Sequence, residues 1–199
     1  RAIAVDPSSY VYVAGKKPQT PSGMDCVVLK LDPTGAFLSS TSFDSGATTF
    51  EEPMDAIVAG PNLIVVGSDA TSRRLNVYST GTLQGLGSYR DGVSGRFTAV
   101  ISSGPNSLIT ASVAGGQMIV NELAVPSLVM VATRVIPGFY AADRHARTLA
   151  HDPVNGWVYA VAVDSTTGGL RVEQLGANLA LVGATNFFKA NPFVGGAAL

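Results

Sequence analysis

Short apolar segments recur along the chain, and each follows residues that are typical of turns. Four of them share a β-rich composition and start roughly every 50 residues, at Val11, Leu63, Leu108 and Val158. Each is preceded by a shorter apolar segment and followed by two more. The third segment of a group alternates apolar and polar residues, as in Val28-Leu29-Lys30-Leu31, and a period of two indicates a half-buried strand. The pattern therefore predicts four groups of four short strands.

Residues that favour tight turns separate the predicted strands. Three turns begin with Asp-Pro, at Asp6, Asp32 and Asp152, and a fourth reads Gly104-Pro105-Asn106-Ser107. Proline presets φ in such turns, and Gly or Asn accepts the positive φ that they need. Residues 140–147 come closest to a helical pattern, but they lack a sustained period and caps, so we predict a loop or a single turn there. The fold class that follows is all-β.

A repeated four-stranded antiparallel unit of about 40 to 50 residues is typical of the blade of a β-propeller. We predict a single β-propeller over residues 1–199 with about four blades. The predicted blades span residues 2–43, 54–90, 97–136 and 147–188, and residues 191–199 are the possible first strand of a further blade. Four blades could close as a small ring or belong to a ring of about six to eight. The position of the tail favours part of a larger ring or assembly, or a tail strand supplied to a neighbour. The start at Arg1 without an initiator Met favours a processed or partial piece of a longer protein.

The first predicted blade resembles a known repeat. Residues 2–15 and 25–35, followed by the Ser- and Thr-rich segment 38–43, are similar to the seven-bladed β-propeller (SBBP-type) repeat family and loosely to NHL repeats. The later blades keep the apolar spacing, but residues 75–89 and 118–135 lack the Asp-Pro-x-Gly turn, which Asp152 restores in the fourth blade. The resemblance implies an extracellular or cell-surface protein with a non-enzymatic binding or structural role. It carries over no functional residue.

Composition narrows the possible partners. The chain is 46% hydrophobic with a mean hydropathy of +0.29, which excludes intrinsic disorder. Lys and Arg number 13 against 14 Asp and Glu, so no positive field is available for a phosphate backbone, and we predict no nucleic-acid partner. Apolar runs such as residues 127–135 are far shorter than the ~20 residues of a membrane-spanning helix, so we predict no membrane insertion. A protein partner or self-association is predicted, with a glycan as the other possibility.

Few residues are candidates for chemistry. Cys26 is the single cysteine and is predicted to be a small buried residue on a strand. The two histidines, His145 and His151, lie near Asp143 and Asp152, but their spacing fits no familiar metal-ligand pattern. We therefore predict no catalytic residue, no metal and no cofactor. Arg73 and Arg74 are predicted to be a short solvated pair.

Two functions remain open from the sequence. The first is a non-enzymatic extracellular propeller that serves as a structural or protein-interaction module and can self-associate into an oligomer or filament, since little net charge opposes association. The alternative is a carbohydrate-binding or glycan-cleaving propeller with its site on the loops at one end of the channel. That site would use Asp143, His145, His151 and Trp157, with carboxylates such as Glu51, Glu52 and Asp55 converging on the same pocket. A surface loop would explain these three carboxylates equally well.

Overall fold

The computed structural model describes residues 1–19, 23–43, 52–69, 72–137, 139–140, 148–164 and 169–187. These residues form antiparallel strands joined by short turns, and one 3₁₀ turn at Ala177–Leu179. The strands assemble into four separate sheets in chain order. The sheets belong to two compact units, Arg1–Phe97 and Thr98–Leu199, which we call unit 1 and unit 2.

Unit 1 contains sheet 1 and sheet 2, each with its strands in sequence order. Sheet 1 consists of β1 (Ala2–Val5), β2 (Val11–Gln19), β3 (Gly23–Leu31) and β4 (Phe37–Phe43). Sheet 2 consists of β5 (Glu52–Ala59), β6 (Asn62–Ser68), β7 (Arg73–Ser79) and β8 (Gly85–Arg90). Each sheet is therefore a four-stranded meander, as the repeat predicts.

Unit 2 contains sheet 4 and sheet 3, except for the first two residues of sheet 3, Arg96 and Phe97, which belong to unit 1. Sheet 3 consists of β9 (Arg96–Gly104), β10 (Ser107–Ala114), β11 (Gln117–Ala124) and β12 (Met130–Ile136). Sheet 4 consists of β13 (Phe139–Tyr140), β14 (Leu149–Asp152), β15 (Trp157–Asp164), β16 (Leu170–Leu175) and β17 (Leu181–Phe187).

Sheet 4 differs from the others because two short strands share one edge of β15. β14 pairs with the first half of β15, where Leu149 lies opposite Ala160. β13 pairs with the far end of the same strand, where Phe139 lies opposite Asp164. The sequence pattern did not predict β13, since two residues are too few to show a period of two.

The core of unit 1 lies between the facing sides of its two sheets. Alternation along β2 places Tyr12 and Ala14 in one buried cluster with Leu63 and Val65 of β6. Cys26 and Val28 of β3 join the same cluster, which confirms that the cysteine is a small buried residue. The first strand of each sheet contributes small side chains to this cluster, namely Ala2 and Ala4 of β1 and Ala56 of β5. Burial of these apolar surfaces is the main force that holds the sheets together.

Unit 2 repeats this arrangement. Ile109 and Ala111 of β10 belong to one buried cluster with Val158, Ala160 and Ala162 of β15. Met118, Val120 and Leu175 are completely or almost completely buried in the same cluster. In each unit, equivalent strands of the repeat therefore pack together, β2 with β6 and β10 with β15. This packing buries one face of each sheet against its neighbour.

Three of the turns are held by an aspartate that begins them. Asp32 Oδ1 accepts hydrogen bonds from the backbone N–H groups of Thr34 and Ala36, at 2.8 and 2.9 Å, and from the Thr34 hydroxyl at 2.6 Å. The Thr34 hydroxyl and these N–H groups lower the pKa of Asp32. Gly35 follows at φ +87, a conformation in which a side chain is strained. The Asp-Pro motif is thus a turn-forming device, in agreement with the sequence pattern.

Candidate functional site

The residues predicted for a binding loop are described only in part. Asp143 and His145 lie outside the described residues, as does Glu51. His151 lies on β14 opposite Val158, and Trp157 begins β15 opposite Asp152. Both His151 and Trp157 are half-buried. The convergence of these side chains on one pocket therefore stays a prediction.

Asp152 is already engaged in its own turn. Its Oδ1 accepts a hydrogen bond from the N–H of Val154 at 2.9 Å, and its Oδ2 accepts one from the side-chain amide of Asn155 at 2.7 Å. The Asn155 amide is the largest cause of a lowered pKa at Asp152. A carboxylate that is ionised and held by turn donors is suited to fixing the loop between β14 and β15, not to transferring a proton.

The acidic residues near the start of sheet 2 are also engaged. Glu52 Oε1 lies 2.8 Å from Lys16 Nζ, which joins β5 to β2. Asp55 Oδ1 accepts a hydrogen bond from the N–H of Ala56 at 2.9 Å. Both carboxylates lie on the strand β5 and not on a surface loop.

A buried carboxylate organises one end of β6 and β7. The side chain of Asp69 is fully buried, and its Oδ1 accepts hydrogen bonds from the N–H and the hydroxyl of Ser72, at 2.8 and 2.9 Å. Its Oδ2 lies 3.3 Å from Arg74 Nη1 and 3.1 Å from Arg90 Nε. Two guanidinium groups thus share one carboxylate, and Arg90 keeps about half of its side chain in solvent.

The prediction that Arg73 and Arg74 form a solvated pair is wrong. Arg73 is only 4% exposed, and its guanidinium pairs with Asp91. Arg74 points to the opposite face of β7, where its guanidinium carbon lies 3.7 Å from the centre of the Phe43 ring. Adjacent residues on a strand face opposite sides, and each arginine therefore finds a separate set of partners.

Unit 2 contains a second carboxylate shared by two arginines. Glu173 on β16 has 1% of its side chain exposed, and its Oε2 lies 3.0 Å from Arg134 Nε of β12. Its Oε1 lies 2.6 Å from Arg171 Nη2 on the same strand. Because Arg134 belongs to sheet 3 and Glu173 to sheet 4, this group links two sheets. Its charges are paired within the fold, which favours a structural role.

A narrow cleft between sheets 1 and 2 is bordered by Cys26, Glu52, Gly67, Arg74 and Asn76. It has room for about one water molecule. Arg74 Nε donates to Asn76 Oδ1 at 3.4 Å along this border. The cleft is therefore too small for a sugar ring and is a joint between two sheets.

The part of the chain that the structure describes holds no cluster of metal ligands. Within it, no three His, Cys, Asp or Glu side chains lie close enough together to hold a metal ion. No helix in that part is both long enough and apolar enough to span a lipid bilayer.

The outermost strands of unit 2 expose large apolar side chains. On β12 and the residue before it, Val129 is 60% exposed and Val131 is 54% exposed. On β17, Val182 is 55% exposed and Phe187 is 56% exposed. Each of these strands is the last in its sheet among the described residues. An exposed apolar strand at a sheet edge offers both side chains and backbone groups to another chain.

The protein is similar in structure to β-propellers. No family model and no curated protein matches its sequence. It aligns with hydrazine synthase of Kuenenia stuttgartiensis at a TM-score of 0.66 and 16% identity over 88% of this chain. It aligns with the propeller of Dos1 at a TM-score of 0.60 and 12% identity over 95% of this chain. With the four antiparallel sheets, these similarities confirm an all-β fold of the β-propeller class with about four blades.

The chain spans about half the length of these two structures. The alignments cover 53% of the hydrazine synthase chain and 48% of the Dos1 chain. The prediction that residues 1–199 form a single propeller with the blade limits given above stays a prediction, and residues 191–199 lie outside the described part.

Sequence reasoning missed two buried carboxylates that are each shared by two arginines, Asp69 and Glu173. Arg74 follows Asp69 closely in the sequence, and Arg171 precedes Glu173 by two residues, which puts both on one face of β16. An acid and a base two residues apart on a strand were therefore a usable local signal. Arg90 and Arg134 are distant in sequence from the carboxylates that they contact, and no local pattern points to them.

Proposed function

We propose that this chain is a non-enzymatic β-propeller module that binds protein partners outside the cell or at its surface, and that its blades belong to the seven-bladed β-propeller repeat family. The observation that carries the proposal is the set of exposed apolar side chains on the outermost strands β12 and β17. A monomeric surface normally keeps such residues scattered, whereas clusters of them indicate contact with another molecule.

The chemistry of the described residues supports a binding role over catalysis. Two carboxylates with buried side chains, Asp69 and Glu173, are each held by two arginines. Asp32 and Asp152 are held by their own turns. A general acid or base needs a free position toward a substrate. These four carboxylates are therefore engaged in contacts within the fold.

Photo-crosslinking tests the proposed surface. The variants Val131→p-benzoylphenylalanine and Val182→p-benzoylphenylalanine place the crosslinker on β12 and β17, and Val154→p-benzoylphenylalanine is the control, since Val154 is 88% exposed in a turn. On irradiation of intact producing cells, we expect protein adducts from the two strand positions and none from the turn. The partner is then identified by mass spectrometry, and its binding is reproduced with purified protein.

Equal adducts from all three positions, or none from the strands, would overturn the proposal. Protection of the tagged protein from externally added protease would contradict the surface location. A glycan array and fluorogenic glycosides, applied to the purified chain and to Trp157→Ala, test the alternative function. A signal that requires Trp157 would replace the protein-binding proposal with a carbohydrate-binding one.

A further inference from the structure

The exposed apolar segment at the start of β12 contains a methionine. All four methionines of the chain lie within the described residues, and among them Met130 is the exposed one, at 39%. Met24 and Met54 are half-buried, and Met118 is 0% exposed in the unit 2 core. Residues 129–131 thus present one oxidisable side chain to solvent, in the middle of the proposed binding surface.

A hydroxyl group lies against the sulfur of this methionine. Thr133 Oγ1 lies 2.8 Å from Met130 Sδ, and it also lies 3.1 Å from Asn121 Oδ1. A bulge in β12 places the side chains of Met130 and Thr133 on one face of the strand, although they are three positions apart. A hydroxyl has one proton and a thioether is a weak acceptor. The donor is therefore in place for a stronger acceptor at the position of the sulfur.

We propose that oxidation of Met130 to methionine sulfoxide switches off protein binding at the β12 surface. The inference rests on the proposed interaction function and names a regulation of that same surface. Hydrogen peroxide is the oxidant. A lone pair of the Met130 sulfur attacks one peroxide oxygen, the O–O bond breaks and an S–O bond forms, while the second oxygen takes the proton of the first and leaves as water. The sulfur is oxidised and the peroxide is reduced.

The product is polar at a place where a partner would make an apolar contact. In the free chain, the new oxygen is solvated and accepts a hydrogen bond from the Thr133 hydroxyl. A partner that covers Met130 would strip the water from this oxygen and leave part of its hydrogen-bonding capacity unused, which opposes binding. Because Met130 is exposed on the last strand of sheet 3, oxidation adds the oxygen outside the core. The change therefore acts on binding and spares the fold.

Peptide mass mapping after peroxide treatment of the folded chain tests the chemical step. We expect Met130 to gain an oxygen well before Met118, and methionine sulfoxide reductases to restore the original mass. Thermal unfolding should show that the oxidised chain stays folded. The loss of stability on oxidation should be larger in Thr133→Val than in wild type, because the sulfoxide then lacks its donor. Oxidation that leaves Met130 intact and reaches the other methionines would overturn the inference.

Photo-crosslinking from Val131→p-benzoylphenylalanine tests the effect on binding, in producing cells with and without peroxide. We expect oxidation to lower the yield of protein adducts about tenfold, the affinity equivalent of burying a polar group without its full set of partners. Met130→Leu in the same background keeps the apolar volume and lacks the sulfur, so its adducts should survive peroxide. This variant also controls for oxidation of the partner. Met130→Gln introduces a polar group directly and should lower the yield without peroxide.

Two results would overturn the inference and leave the proposed function in place. One is a yield of adducts that persists after complete oxidation of Met130, and the other is an equal loss of adducts from Met130→Leu on peroxide treatment. Adducts of the untreated chain report on the proposed function alone. If Val131→p-benzoylphenylalanine gives no protein adduct before oxidation, the proposed function fails, and the regulation that rests on it fails as well.

Discussion

The two units join their sheets by different means. In unit 1, polar contacts between the sheets lie at several separate places around the apolar core. They include the Arg1 amino group with Pro53 O at 2.9 Å, Lys16 with Glu52 at 2.8 Å, the Tyr12 hydroxyl with Thr80 O at 3.0 Å, and Lys30 Nζ with Thr80 O at 2.7 Å. In unit 2, the ion pair of Arg134 with Glu173 joins sheet 3 to sheet 4, and the Glu173 side chain is 1% exposed.

This difference predicts a difference in tolerance. Partly exposed ion pairs and single hydrogen bonds contribute little each, so the loss of one leaves the others in place. A buried carboxylate with two guanidinium partners cannot be removed without leaving positive charges behind. We therefore expect the contact between sheets 3 and 4 to depend strongly on Glu173, and the contact between sheets 1 and 2 to spread its dependence over several residues.

The largest effect is expected from Glu173→Gln. Neutralising this side chain leaves Arg134 and Arg171 without their counter-ion, and we expect a loss of about 3 to 5 kcal/mol in the free energy of unfolding. Denaturant unfolding measures the loss. Glu122→Gln is the matched control on the neighbouring β11, since Glu122 is only half-buried and accepts a hydrogen bond from the Ser107 hydroxyl at 2.9 Å. Equal losses in both variants would remove the contrast between the units.

A second large effect is expected at Gly67, in unit 1. A Cβ at this position would lie 1.9 Å from the backbone oxygen of Glu52, so β5 and β6 would have to separate. We expect Gly67→Ala to cost about 2 to 3 kcal/mol. Gly15 occupies the same position of the first repeat, and a Cβ there meets nothing within 4 Å. Gly15→Ala should therefore be nearly neutral, and a comparable loss at Gly15 would show that the close approach is not the cause.

Tyr12 gives unit 1 a dependence on alkaline pH. Burial and the Asp6 carboxylate raise the pKa of Tyr12 to about 12, compared with 10.0 in the unfolded chain. The neutral phenol is favoured by the fold, so its contribution is complete below pH 10 and is lost as pH rises toward 12. The loss approaches about 2 kcal/mol. Tyr12→Phe should remove this part of the pH dependence of unfolding, and an unchanged slope between pH 10 and 12 would contradict the assignment.

The smallest effect is expected from Lys30→Met. The Lys30 ammonium donates to two backbone oxygens, of Thr80 and Gly81, and lies 4.6 Å from the centre of the Tyr10 ring. Its removal should cost less than about 1 kcal/mol, because methionine keeps much of the aliphatic contact and water replaces the donor. Thermal unfolding compares this variant directly with Glu173→Gln. A larger loss at Lys30 would reverse the comparison.

The sequence was informative where the determinants of structure are local. Alternation and the Asp-Pro turns predicted the strands and the turns at Asp32 and Asp152, because each depends on residues within a few positions. The burial of Arg73 depends on contacts with Asp91 and Phe97. Both partners are distant in sequence, so the local pattern of two arginines did not predict that burial. The requirement for Gly67 likewise comes from the backbone of another strand. The predicted loop site, with Asp143 and His145, stays a prediction.

Trp157 provides a natural optical reporter. It is the single tryptophan of the chain and stands half-buried at the start of β15, next to a polar turn. Fluorescence excited at the red edge of indole absorption therefore originates from unit 2 alone, and a change in its emission follows the opening of sheet 4. Most of the tyrosines belong to unit 1, namely Tyr10, Tyr12, Tyr78 and Tyr89, so tyrosine absorbance mainly follows that unit. The contrast between the two units can thus be observed in the unlabelled protein.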